Sequence, residues 1–109
     1  MLDTATANDT GISNTASGSF TGDGTICYVT LGFKPRYVKL VNLTDRITNE
    51  FFGDMAATHT LKTVAAGTVT DDTASAITPR GGTTDTYRGF EVAAATNITG
   101  KAFHYIAFG

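Results

Sequence analysis

Tryptophan is absent from this chain of 109 residues, proline occurs twice and cysteine once. A lone thiol, Cys27, cannot close an internal disulfide. Its apolar neighbours Ile26, Tyr28 and Val29 predict a buried, inert setting and not one that lowers a thiol pKa. Charge is scarce as well. Charged residues make up 17% of the chain and the formal net charge is -2, where an average soluble domain carries about 25% charged residues. That balance gives no support for electrostatic capture of nucleic acid or of an anionic membrane. No apolar run approaches the ~20 residues that a membrane-crossing helix needs. The opening residues hold neither the basic nor the apolar region of a secretory signal. Helical periodicity of useful length is missing too, and so is any repeat of fixed period.

What the chain has instead is threonine, 21 of its 109 residues, with many glycines, alanines, serines and asparagines. Thr is β-branched and favours strands, while Gly and Asn favour the turns between them. A chain of this length buries roughly two thirds of its unfolded surface, enough for one thin core and not for two.

Residues 1–19 contain only Leu2 and Ile12 as large apolar groups, so they read as a flexible N-terminal arm that those two side chains could anchor on another surface. From Phe20 on, short β-branched and aromatic runs alternate with turn residues, which predicts one all-β domain over 20–109. Residues 25–31 set Ile26, Tyr28 and Thr30 against Cys27, Val29 and Leu31, with both faces at least partly covered. Pro35 then breaks the run. Residues 36–43 set Val38, Leu40 and Asn42 against Tyr37, Lys39, Val41 and Leu43. Further strands are expected over 47–52, 59–64, 68–70, 75–78 (ended by Pro79), 87–93 and 101–108, with Asp71-Asp72 as a polar loop tip. The last of them is apolar enough to lie inside a sheet. Gaps this short exclude helical crossovers, so about eight short strands pair antiparallel in a β-sandwich of jelly-roll or related Greek-key connectivity.

Reactive groups are few. The two histidines, His59 and His104, lie on separate strands without the third and fourth ligands that a zinc site requires. His104, among Phe103, Tyr105 and Ile106, reads as a packed core or interface residue. The glycine pairs do not open helices, as a phosphate-binding loop must, and no Gly-x-Ser-x-Gly elbow occurs. The expectation is a protein that is not an enzyme and holds no cofactor and no metal. Lys34, Arg36, Lys39 and Arg46 form the densest basic stretch, suited to ion pairs with a protein partner; Leu2, Ile12, Lys34, Arg36 and Arg46 are the candidate contacts.

Three segments carry a family resemblance: Gly32-Phe33-Lys34-Pro35-Arg36-Tyr37-Val38-Lys39-Leu40-Val41-Asn42, Leu61-Lys62-Thr63-Val64-Ala65-Ala66-Gly67-Thr68, and His104-Tyr105-Ile106-Ala107-Phe108-Gly109. From about Phe20 to the end, the chain resembles small virion proteins of tailed bacteriophages, above all capsid decoration or cement proteins. The resemblance implies a jelly-roll-like sandwich, made in the host cytoplasm and found on the capsid exterior. It implies a dimer or trimer that bridges neighbouring major capsid proteins to stabilise the shell, the arm extending over neighbours, with no direct contact to nucleic acid or membrane. Similar Gly-Phe-x-Pro segments occur in tail-fibre and receptor-binding modules, which makes host-surface attachment the alternative. A small cupin-like enzyme on the same architecture would require clustered His and carboxylate ligands that this chain lacks.

Overall fold

Strand after strand in this chain places apolar side chains at every second residue, and two sheets close over them. The computed structural model describes residues 2–4, 6–7, 14–56, 58–82 and 86–109. In chain order the strands are β1 (Leu2–Thr4), β2 (Thr6–Ala7), β3 (Thr15–Thr21), β4 (Cys27–Thr30), β5 (Tyr37–Asn42), β6 (Ile47–Phe52), β7 (Thr60–Thr63), β8 (Val69–Asp72), β9 (Ile77–Arg80), β10 (Gly89–Val92) and β11 (Ala102–Phe108). One sheet has the order β1-β4-β10-β9 and the other β2-β3-β11-β5-β6-β7-β8. Every pairing is antiparallel except β1 with β4. The chain is thus an all-β sandwich. After β3 it crosses to β4 in the smaller sheet and returns as β5, and at its end β11 inserts between β3 and β5, a Greek-key closure. Strands β5 to β8 form a simple meander.

The two sheets meet through Val29 of β4, Ile77 of β9 and Phe90 and Val92 of β10 on one side. Opposite them lie Phe20 of β3, Val38 and Leu40 of β5, Phe51 of β6 and Phe103 and Tyr105 of β11; all are buried. Phe90 meets Tyr105 edge to face across the sandwich, with ring centroids 5.4 Å apart and an interplanar angle of 79°. Phe20 stacks on Phe103 at 5.1 Å. Two glycines inside strands are required by close approach and not by turns. At Gly18 a Cβ would run into the Tyr105 ring, and at Gly89 it would run into the Val29 carbonyl. Cys27 is fully buried beside this core.

The eight strands expected from residue 20 onward correspond to β4 through β11, and β11 does lie inside its sheet. Several details differ. Residues 15–19, read as the end of an arm, belong to β3, which pairs with β11 along its whole length and buries Ala16. Leu2–Thr4 and Thr6–Ala7 also form strands, whereas Ile12 lies outside the described residues. Asp71 and Asp72 end β8 and do not form a loop tip. Asp72 accepts from Asn49 Nδ2 at 3.4 Å and from the Ala74 N–H at 2.9 Å. Pro79 sits inside β9, opposite Phe90, because β9 is an edge strand where a missing N–H is tolerated. Both faces of β4 are at least partly covered, as expected: Cys27 and Val29 are fully buried, and Tyr28 on the other face is 37% exposed.

Phe90→Ala is expected to cost about 3–5 kcal/mol, the usual range for emptying an aromatic site in a core. Urea unfolding should show a lower midpoint with an unchanged slope. Gly89→Ala should also destabilise, because the obstacle is backbone and cannot swing aside.

Candidate functional site

The outward face of the seven-stranded sheet follows from the same alternation that fills the core. Cross-strand register sets Phe108 of β11 opposite Tyr37 of β5, and Tyr37 opposite Phe52 of β6. The Tyr37 ring lies 5.3 Å from Phe52 and 5.7 Å from Phe108, so three strands contribute one continuous aromatic row. The adjacent row runs Ile106, Lys39, Glu50 and Leu61, and the next one His104, Val41, Thr48 and Thr63. Phe52, Phe108 and Ile106 are 40%, 39% and 38% exposed, although each belongs to a regular strand. Beside them β3 presents only the small side chains Thr15, Ser17, Ser19 and Thr21. A surface of aromatic and aliphatic groups edged by hydroxyls is suited to excluding water against another protein.

Tyr37 is tied down inside this surface. Its hydroxyl donates to Glu50 Oε2 at 2.7 Å. Burial, then the bond to Glu50 and its negative charge, push the phenol up from 10.0 to about 12. His104 is exposed in the third row, opposite Ser19 and Val41, so it is not a core residue.

The candidate contacts expected from the sequence fall in three separate places. Lys34 and Arg36 come together on a surface cleft of about 530 Å³ that is floored by Phe51, Met55 and Pro79. Arg46 is distant from them: it occupies the β5–β6 turn with a φ of 58°, next to Asp45, which accepts from Asn42 and pairs with Lys101 at 3.2 Å. Leu2 lies on the far sheet, 71% exposed, at a cleft of about 640 Å³ with Tyr28, Thr30, Thr86 and Tyr87. There Tyr28 and Tyr87 meet at 5.9 Å, nearly perpendicular, and Arg80 pairs with Glu91 at 3.1 Å. Burial and the Glu91 charge push the Tyr87 phenol up from 10.0 to about 12.

The remaining polar groups serve local structure. His59 Nδ1 contacts Asp71 Oδ1 at 2.7 Å, joining the approach to β7 to the β8 edge. Asn49 donates to Thr60 Oγ1 at 3.0 Å where the inward face of the large sheet turns polar. A cavity of about 80 Å³ lies there, with Asn42, Asn49, Lys62 and Asp72 in its wall. Asn97, fully buried, donates to Asp23 Oδ1 at 3.0 Å and to the Thr25 carbonyl at 2.8 Å, pinning two loops together. The hydroxyl and backbone N–H of Thr25 hold the Asp23 carboxyl below its ordinary value. Among the described residues no three of His, Cys, Asp or Glu converge on a point where a metal ion would fit.

Neither the protein-family models, the curated proteins nor the solved structures contain a match to this chain.

Tyr37 and Tyr87 should therefore ionise late. Their folded-state pKa values lie above the unfolded one, so the stability they contribute is complete below pH 10 and is lost as pH rises toward about 12. Near-ultraviolet titration should resolve both, and Tyr37→Phe should remove one late component. A Tyr37→Phe titration identical to the wild-type curve would contradict the Glu50 linkage.

Proposed function

We propose that this chain is a structural protein of a tailed-phage particle, one that binds the outside of the capsid and bridges neighbouring major capsid proteins. The observation that carries the reading is the aromatic row Phe52, Tyr37 and Phe108, with Phe52 and Phe108 exposed on the outward face of a sheet. Contiguous apolar surface of this kind marks a contact with another protein. The family resemblance supplies the identity of that partner. Function is then a binding equilibrium repeated by symmetry: many copies occupy equivalent sites, each preferring the closed arrangement of shell subunits and stabilising it by that preference. Association of the chain into dimers or trimers would add avidity without new contacts to the shell.

A second reading, attachment to a host surface as part of a tail fibre, has an observation of its own. The cleft with Tyr28 and Tyr87 beside the Arg80–Glu91 pair offers ring faces and charged hydrogen-bonding groups together. Capsid binding is preferred because the aromatic row spans three adjacent strands, a breadth suited to a protein surface and not to a small ligand.

Electron cryomicroscopy of particles of a phage carrying this gene tests the choice. Density for the sandwich on the capsid exterior is expected, and density at the tail tip would replace this reading with the alternative. The double variant Phe52→Glu, Phe108→Glu should fold, since both positions are outward, with a stability change within about 1 kcal/mol. Losing two central anchors should weaken co-sedimentation with shells roughly 30-fold or more, the scale of about 2 kcal/mol for an interface hot spot. Undiminished binding by a folded double variant would remove this face from the interface. Deleting residues 1–13 removes the border strands β1 and β2 while keeping β3, and should weaken binding without unfolding the sandwich, whereas a cut at residue 20 would also remove most of β3, the partner of β11.

A further inference from the structure

Lys34-Pro35-Arg36 leads into β5 and is held in place from both sides; Pro35 favours an extended backbone at Lys34. Pro35 is buried while Lys34 and Arg36 are exposed, so the backbone alternates cation, apolar ring, cation along one side of the cleft. Glycine is what lets other loops approach this closely. A Cβ on Gly81 would come within 2.6 Å of Lys34 Cβ, and one on Gly53 within 3.1 Å of the Arg36 carbonyl oxygen. The Gly53 N–H donates to that same oxygen at 2.6 Å. Arg36 has one guanidinium bond, to the Gly109 backbone oxygen at 3.3 Å. Neither cation is paired with a carboxylate among the described residues. Two neighbouring positive charges thus stand over an apolar floor with no Asp or Glu partner among the described residues, in a chain whose net charge is negative.

We infer that this cleft binds an extended acidic segment of a protein partner, with an apolar side chain on Phe51, Met55 and Pro79 and flanking carboxylates on Lys34 and Arg36. Side chains two apart in an extended chain repeat every ~6.6 Å, so an acid–apolar–acid triplet matches the cation–apolar–cation spacing of residues 34–36. The carboxylates gain charge-assisted hydrogen bonds, and the apolar residue between them leaves water. Such a site discriminates by charge pattern, since a basic segment would be repelled and a polar triplet would leave the floor wet. The inference rests on the reading of the chain as a protein that works by docking, and it names the chemistry of one part of the partner.

The test uses the whole chain and the acetylated, amidated peptide Gly-Asp-Leu-Asp-Gly, with Gly-Lys-Leu-Lys-Gly and Gly-Asp-Ser-Asp-Gly as controls. Saturable NMR shifts are expected at the Lys34 and Arg36 amides and the Met55 methyl with the first peptide. Binding should weaken at least tenfold with either control, and at least threefold between 20 and 200 mM salt, the direction that screening of exposed charges requires. The double variant Lys34→Ala, Arg36→Ala should keep the wild-type spectrum elsewhere and lose the shifts. No saturable shift at these three positions, equal binding of the lysine peptide, or an equal response to a dT10 oligonucleotide would overturn the proposal. Loss of peptide binding alongside intact decoration of particles would sink this inference alone. Peptide binding by a chain absent from particles would sink the capsid reading alone.

Discussion

Everything outward in this molecule depends on how Phe90 is seated. Its ring meets the face of Tyr105 across the sandwich, and Tyr105 reaches that position only because Gly18 leaves room on the neighbouring strand. Gly89, one residue before Phe90, brings β10 against the Val29 carbonyl closely enough to exclude any side chain. A ring between two sheets, with a glycine beside each end of the contact, sets the spacing of the layers. Once that spacing is set, strict alternation turns Phe108, Tyr37 and Phe52 to the outside. The exposed aromatic row is therefore a consequence of the same register that buries Phe103, Val38 and Phe51. A slip of one residue in β5 would exchange the two sets.

Where alternation was strong, the sequence was readable. Residues 47–52 form a strand with the bounds expected and with Phe51 and Phe52 on opposite faces, and β11 lies inside its sheet. Strand β3 was not readable, because Thr-Ala-Ser-Gly-Ser carries almost no apolar mass of its own. It borrows the Tyr105 ring, which lies over Gly18, and a single sequence does not display a neighbour's side chain. Asp71-Asp72 imitated a loop tip for a related reason: two acids fit a strand only if that strand is at an edge with partners waiting, here His59 and Asn49. Pro79 misled in the same way, since edge placement is a property of topology.

The candidate surfaces divide along the same line. Lys34 and Arg36 are two residues apart, so their closeness was legible from the chain alone. Arg46 looked like part of that basic group, yet β5 runs six residues in between and carries it roughly 20 Å away at ~3.3 Å per residue. The aromatic row could not be found from sequence, since its members sit at positions 37, 52 and 108 and become neighbours only through the order β11-β5-β6. Charge thus marks one end of the sandwich and aromatic surface marks a broad face, and local pattern reveals only the former.

The four sheet borders complete the picture. Two are closed by the brief strands β1 and β2, one contains Pro79 and one ends in Asp71-Asp72. Each is a recognised way of discouraging a foreign strand from adding on. Borders of this kind oppose edge-to-edge pairing between copies, which leaves side-chain contact on the broad faces, and not backbone hydrogen bonding, to choose a neighbour.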